Sequence, residues 1–307
     1  MYSVIIPVYN EAPNVAELHR RVLVVMQGLQ KPFEIVFVND GSNDETANEL
    51  DKLHPATLIT FRKNFGQTAA IDAGIKQAQG DVLITLDGDL QNPPEEIPKL
   101  LAFLESHDYD VVSGWRKERQ DKFGKRFISR GANRLRKLFL NDGIHDSGCT
   151  LKVYRKACFE DVDLYGEHHR FIPAILRLNG FSIGEVEVAH SARAAGKTKY
   201  GAERIFRGFI DMLGLWFWRN YSYRPLHLFG GIGFSLVSLG TALLVLLAIM
   251  RLAWAYPLST SIWPLVAVLA IVAGLQLLIT GLLAEVLAKS YYTGRRSYTI
   301  KSVVHKV

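Results

Sequence analysis

The chain has 307 residues, 49% of them hydrophobic, with a formal net charge of +6. That size admits one or two domains of globular composition. Two cysteines, Cys149 and Cys158, are too widely spaced for a CxxC motif and too few for a zinc site, so both read as reduced structural thiols.

The opening MYSVIIPVYNEAPN has neither a basic leader nor a long apolar core, so it does not read as a secretory signal, and the part that follows is expected in the cytosol. A strand is predicted over Ser3–Pro7, then helical periodicity over NVAELHRRVLVVMQGL. FEIVFVND gives a second strand, after which Ser42 or Asn43 is expected to cap a helix with Asp44 and Glu45 in its first turn. ATLITF is a short third strand, and the Ala-rich GQTAAIDAGIKQAQG reads as a helix ending at Gly80. The apolar run Val82–Leu86 is a fourth strand, and YDVVSGWR and SIGEVEVAHS supply later ones. Alternation of this kind predicts a parallel α/β sheet with helices on both faces.

Charge is unevenly spread. Between Arg116 and Lys137 ten basic residues face two acids. Pro225 to Met250 and Leu252 to Ala284 carry no Asp, Glu, Lys or Arg, which is long enough for two crossings of a hydrocarbon layer about 30 Å thick. The tail after Ala288 adds Lys289, Arg295, Arg296, Lys301 and Lys306 without an acid. Basic flanks mark the cytosolic side, so both ends are expected there, with the link near Tyr256–Ser261 outside. Phe123, Phe127, Leu135, Leu138 and Phe139 lie among the basic residues, and ERIFRGFIDMLGLWFWRN reads similarly; both suit a membrane surface. Anionic lipid headgroups are therefore the nearer partner than nucleic acid.

In open α/β sheets ligands bind beyond the carboxyl ends of the strands. Tyr9, Asn10 and Glu11 follow the first strand, Asn39 and Asp40 end the second, and Asp87 and Asp89 follow the fourth. GxGxxG is absent after the first strand and GxxxxGK[ST] is absent throughout, which removes the main support for dinucleotide and P-loop folds. Asp87 and Asp89, read as extended, face the same way and need a cation, a shared proton or intervening water. A shared proton would suit acid protease or glycosidase chemistry. A divalent metal fits better, because Mg²⁺ takes one or two carboxylates and completes its shell with substrate phosphates; Gln91 adds a neutral oxygen.

VIIPVYNE, VNDGSNDET, RKNFGQTAAIDAGI and LDGDLQNPPE together resemble the inverting glycosyltransferases of family 2. Within it the closer resemblance is to the polyisoprenyl-phosphate glycosyltransferases, the group of dolichyl-phosphate mannose synthase and the bacterial undecaprenyl-phosphate sugar transferases. The resemblance runs from residue 3 to about 215, and the two spans match bacterial members. It implies an α/β catalytic domain of GT-A fold (Rossmann-like, mostly parallel sheet) over residues 1–202. An amphipathic interfacial helix would follow over 203–224, then a two-helix transmembrane domain over 225–289 with spans near 226–250 and 262–287. A basic cytosolic tail would occupy 290–307.

It also implies nucleotide-sugar contacts from Pro7, Tyr9, Glu11, Val38, Asp40, Asp87 and Gly88, with Asp40 on the base edge. Asp87, Asp89 and Gln91 would hold Mg²⁺ or Mn²⁺ on the diphosphate, with Arg116 facing the sugar-diphosphate. Arg193 and Lys199 match a family pattern of Arg followed by Ser-Lys-Tyr near phosphates, with Thr198 here in place of the Ser. Asp146 is a positioning or acceptor-site candidate, and Arg126 and Arg130 are candidates for the lipid phosphate.

The expected activity is transfer of one sugar from a UDP- or GDP-linked donor to undecaprenyl or dolichyl phosphate at the cytoplasmic membrane, with homo-oligomerisation left open. A processive polysaccharide synthase would carry a QxxRW element and more spans, neither of which is found. A non-catalytic nucleotide-sugar-binding subunit could have lost Asp87, Asp89, Arg193 and Lys199, which are intact.

Overall fold

The structure, a computed structural model, describes residues 1–117, 143–160, 162–164, 166, 168–191, 202–221 and 224–292. The chain divides into two compact units, Met1–Leu215 and Trp216–Val307.

The first unit is built on β1 (Tyr2–Val8), α1 (Ala12–Gly28), β2 (Phe33–Asn39), α2 (Thr46–Leu50), β3 (Thr57–Thr60), α3 (Gln67–Gln77) and β4 (Val82–Thr85). It continues with α4 (Ile97–Ser106), β5 (Val111–Trp115), β6 (Lys152–Arg155), α5 (Ile172–Leu178) and β7 (Ile183–Glu187). These strands form one sheet in the order β3-β2-β1-β4-β6-β5-β7. All pairings are parallel except those of β6, which runs antiparallel to both β4 and β5.

Every residue of β1 is buried, as expected of a central strand covered on both faces. Val4, Ile6 and Val8 join the core that receives Val15, Leu18, Val22 and Met26 of α1, whose spacing of three and four residues keeps them on one helix face. Ile5 points the other way, into a core with Ile71 and Ile75 of α3 and Ile172 and Leu176 of α5. A side chain fully buried in this way contributes about 1.5–3 kcal/mol.

Two boundaries differ from the sequence expectation. The helix after β2 begins at Thr46 rather than at a Ser42 or Asn43 cap, because those residues serve a different turn: Ser42 N donates to Asn39 Oδ1 at 2.9 Å and Asn43 N to Asn10 Oδ1 at 2.9 Å. Helix α3 stops at Gln77, three residues before Gly80, where Glu34 Oε1 accepts from Gln79 N at 2.6 Å and Ser3 Oγ from Gly80 N at 2.8 Å. The antiparallel strand β6 and helices α4 and α5 had no counterpart in the sequence reading.

Helix α6 (Ala202–Tyr221) follows, and within the first unit its Met212 and Leu215 pack with Phe171 and Ala174. The second unit pairs α7 (Pro225–Trp254) with α8 (Trp263–Tyr292). Pro225–Trp254 and Trp263–Ser290 contain 18-residue windows of mean hydropathy 2.4 and 2.5 and are long and apolar enough to cross a membrane. At 1.5 Å per residue a 30-residue helix is about 45 Å long, against a hydrocarbon core of about 30 Å.

The two helices meet through glycine. A Cβ at Gly274 would lie 2.6 Å from the Gly233 carbonyl oxygen, and one at Gly233 would lie 2.6 Å from that of Gly274. Gly231, two residues from Gly233, has nothing within 4 Å. Gly274→Leu is therefore expected to lower stability by about 1–3 kcal/mol, the usual effect of overpacking, whereas Gly231→Leu should leave it unchanged. Thermal unfolding of the two variants in detergent measures the difference.

Candidate active site

The carboxyl ends of β1, β2 and β4 form one polar rim. Asn10, at φ 55°, donates its N–H to Ser42 Oγ at 3.0 Å, and Glu11 N donates to Thr46 Oγ1 at 2.9 Å, so the loops after β1 and β2 are laced together. Tyr9 and Glu11 are half-buried there, and Glu11 Oε2 accepts from Asn14 Nδ2 at 2.6 Å. Pro7 and Val38 sit opposite each other in the ladder and are buried. The Val38 side chain packs with Val36 and Ala70, away from the rim.

Asp40 is 3% exposed and holds the turn before α3. Its Oδ1 accepts from Phe65 N at 2.7 Å, and its Oδ2 from Asn64 Nδ2 and Gly66 N, both at 2.9 Å. A carboxylate has about four acceptor positions, so one is left for a ligand N–H. Burial raises the Asp40 carboxyl above its ordinary range, against the two backbone donors.

The acidic pair does not lie in an extended segment. Strand β4 ends at Thr85, residues 88–89 form a turn, and Leu90 has φ 60°. Gly88 is pressed onto β1: a Cβ there would lie 2.8 Å from Val8 Cγ1 and 3.4 Å from the Pro7 carbonyl oxygen. The turn still keeps the two carboxylates within each other's field. Asp87 is pushed up to about 6, first by burial and then by the charge of Asp89; the Thr150 hydroxyl, Arg116 and Lys152 act against the shift. Gln67 Nε2, from the first turn of α3, donates to Asp87 Oδ1 at 2.7 Å. Asp89 is 6% exposed, and its Oδ1 accepts from Gln91 N at 3.2 Å.

Arg116, immediately after β5, forms a buried ion pair with Asp146. Its Nε donates to Asp146 Oδ2 at 2.7 Å and its Nη2 to Oδ1 at 3.1 Å, with both side chains under 10% exposed. Asp146 also accepts from Arg116 N at 3.4 Å and Gly148 N at 3.2 Å. With its acceptor positions so occupied, Asp146 is built to hold a guanidinium. Burial disfavours the Arg116 charge, but Asp146 more than offsets this and its proton is held more tightly than usual.

Sequence reasoning missed three neighbours of this centre: Gln67, Thr150 and Lys152. Lys152, 1% exposed on β6, donates to the carbonyls of Cys149 and Ser147. Burial lowers its pKa, opposed by Cys149, Asp146 and Asp87. Thr150 accepts at its carbonyl from Thr85 Oγ1 at 2.7 Å and at its hydroxyl from Asn92 Nδ2 at 3.0 Å. Gln67 falls inside RKNFGQTAAIDAGI, whereas Thr150 and Lys152 lie just after Cys149. Only tertiary pairing brings them to the acidic turn.

Counting the charges that act on one another gives Asp87, Asp89 and Asp146 against Arg116 and Lys152. Among the described residues, then, three acids face two basic groups, with Arg193 and Lys199 not counted. Among the described residues no group of three or more His, Cys, Asp or Glu could by itself enclose a metal. Two carboxylates with a neutral oxygen nearby fit a hard divalent ion whose remaining ligands come from a substrate. Arg126, Arg130, Arg193 and Lys199 lie outside the described residues. Ser191, two positions before Arg193, donates its N–H to the Gln91 carbonyl at 2.9 Å.

The raised Asp87 sets a direction for stability. A carboxyl that titrates near 6 in the folded chain and near 3.9 unfolded disfavours the fold above about pH 6, and the penalty disappears between about 6 and 4. In metal-free protein Asp87→Asn should therefore raise the thermal midpoint at pH 7, and the gap to wild type should close as the pH falls through that window. Melting curves at pH 7, 6, 5 and 4 in EDTA give the comparison.

Comparison with known proteins places this geometry. The family model described as glycosyl transferase family 2 matches residues 3–163. A dodecaprenyl-phosphate galacturonate synthase of Rhizobium johnstonii is 37% identical over 298 residues, 94% of this chain and 88% of that protein. An undecaprenyl-phosphate 4-deoxy-4-formamido-L-arabinose transferase of Pseudomonas aeruginosa is 38% identical over 302 residues, 95% of this chain and 86% of that one. Among solved structures, glucosyl-3-phosphoglycerate synthase of Mycobacterium tuberculosis with Mn²⁺, UDP and glucosyl-3-phosphoglycerate superposes with a TM-score of 0.57 at 14% identity, over 71% of this chain and 79% of that one. That likeness shows the fold, a GT-A-like mixed and mostly parallel sheet. The acidic turn, the sheet that carries it and the length of the match agree: the chain belongs to glycosyl transferase family 2.

Proposed function

We propose that the protein is a membrane-bound inverting glycosyltransferase that moves one sugar from a nucleoside-diphosphate sugar to a polyprenyl phosphate. The observation that carries this reading is the acidic turn, Asp87–Asp89, on the carboxyl rim of a GT-A-like sheet whose chain continues into two helices of membrane-spanning length. The extended likeness to polyprenyl-phosphate sugar transferases supports the acceptor class. So does an apolar cavity of about 300 Å³ in the second unit, lined by Phe217, Trp218, Tyr221, Pro225, Ala284, Leu287 and Ala288. Its lining offers an isoprenoid chain hydrocarbon and aromatic surface and almost no polar competition.

In this reading Asp87, Asp89 and Gln91 would hold Mg²⁺ or Mn²⁺, which would supply positive charge at the diphosphate. Two of the structural neighbours were solved with UDP and Mn²⁺ or Mg²⁺. The chain's own residues do the rest. Pro7, Tyr9, Glu11, Asp40 and the Val38 main chain form the nucleotide rim. Gly88 lets the acidic turn lie on β1. Arg116, fixed by Asp146, presents a permanent cation where charge accumulates, and Arg193 and Lys199 add to it. At an effective dielectric of 20 each such pair at ~4 Å is worth roughly 4 kcal/mol.

The acceptor phosphate is already anionic near neutral pH. Its oxygen attacks the anomeric carbon from the face opposite the diphosphate, forming one C–O bond as the other breaks, with inversion. No proton has to be removed, which suits a site whose Asp146 is engaged with Arg116. Arg126 and Arg130 are assigned to the acceptor phosphate and the basic surface around them to anionic lipid. The catalytic unit and both termini lie on the cytosolic side of the cytoplasmic membrane.

Asp89→Ala should abolish turnover while the protein still folds and inserts, and EDTA should do the same to the wild type. The assay is incubation of membranes with a panel of labelled nucleotide sugars and mass spectrometry of the organic-phase lipid. A product that grows beyond one sugar would indicate a processive synthase, and no lipid product with any donor would refute the transferase reading. Topology has its own test. A cysteine at Ser259 should react with an impermeant thiol reagent applied from outside; reaction only after permeabilisation would reverse the orientation.

A further inference from the structure

Residues 143–151, which carry Asp146, contain no helix or strand. A segment without backbone ladder bonds needs other partners to be fixed, and the largest set comes from one side chain on the far strand of the sheet. Glu185 lies in β7, paired with Ser113 of β5, and its side chain is 11% exposed. Its Oε1 accepts from His145 N at 2.7 Å and Asp146 N at 3.0 Å. Its Oε2 accepts from His145 N at 2.9 Å and lies 2.8 Å from His145 Nδ1. The imidazole stacks on Trp115 at 4.5 Å between ring centroids, so the carboxylate, the turn and the end of β5 form one packed unit.

We propose that Glu185 is a positioning residue: it sets the main chain at Asp146, and through Asp146 the guanidinium of Arg116. Both relays are short. Asp146 N is bonded to Glu185, and the side chain of the same residue holds Arg116 at two nitrogens. A carboxylate suits the place because every partner at its two oxygens is a main-chain N–H or a ring nitrogen. A carboxamide would set an NH₂ group against at least one N–H, so Glu185→Gln breaks the anchor with almost no change of volume. Misplacement of a catalytic group by about 1 Å costs on the order of 100-fold in rate.

The kinetic consequence rests on the transferase reading, whereas the anchor itself does not, so the test has two arms on the full-length protein in detergent. In the first, hydrogen exchange of a peptide covering residues 144–149 should speed up at least tenfold in Glu185→Gln; unchanged protection would overturn the anchor. In the second, Glu185→Gln should lower kcat for lipid-linked sugar formation at least tenfold, with the donor KM within twofold and the thermal midpoint close to wild type. Glu187→Gln is the control, two residues along the same strand, where the exposed Glu187 pairs with Lys117 at 2.7 Å; it should leave kcat unchanged. Normal kcat in Glu185→Gln, or a loss accompanied by unfolding at the assay temperature, would overturn the positioning role. A wild-type chain without turnover would sink the transferase reading and the kinetic role together, with the exchange arm still judging the anchor.

Discussion

The crowding of negative charge at the end of β4 organises the first unit. Two carboxylates in one turn, one of them pushed up by burial and by its neighbour, are costly in an apolar setting unless something balances them. Much of the surrounding architecture supplies part of that balance. Gln67 reaches over from α3, Lys152 is buried on β6, and Arg116 comes from β5 with its own acid in tow. The antiparallel insertion of β6 between β4 and β5 matters for this reason, since it carries an ammonium into the middle of the sheet beside the acidic turn. Among the described residues the acids still outnumber the basic groups by one, a balance suited to a divalent cation.

The Arg116–Asp146 pair shows how such a centre can be stable without being strongly stabilising. A buried ion pair is nearly neutral when compared with an apolar replacement, yet removal of one partner typically costs 3–5 kcal/mol. Its value lies in direction: a guanidinium held at Nε and Nη2 has little rotational freedom left. A free surface arginine would have to lose that freedom each time it met a substrate.

Much of this could be read from the chain because it is written locally. Strands β1, β2 and β4 announce themselves as apolar runs, and the polar residues at their ends follow directly, so Tyr9, Glu11, Asp40, Asp87 and Asp89 could be named as a group. Local pattern misled where side chains had distant obligations. Ser42 and Asn43 look like helix caps but are tied to Asn39 and Asn10. The alternation rule placed Asp87 and Asp89 on one face of a strand, whereas the close contact of Gly88 with Val8 goes with a turn. Glu185 holds His145 and Asp146, 40 and 39 residues away, and Lys152 faces Asp87 across the sheet; the sequence of neither strand hints at these neighbours. A buried lysine is rare enough to be informative, but its burial is a property of the sheet order.

The two cysteines have a consequence for the chemistry of the whole molecule. Cys149 and Cys158 are fully or almost fully buried, and burial pushes their thiols up to about 11 and about 12. The nucleophile in alkylation, oxidation and disulfide exchange is the thiolate. At neutral pH these sites hold on the order of one thiolate in 10,000 or fewer, behind a shell of packed side chains. Neither thiol is poised to react, and a thiol placed at the surface of the molecule would be the first to do so.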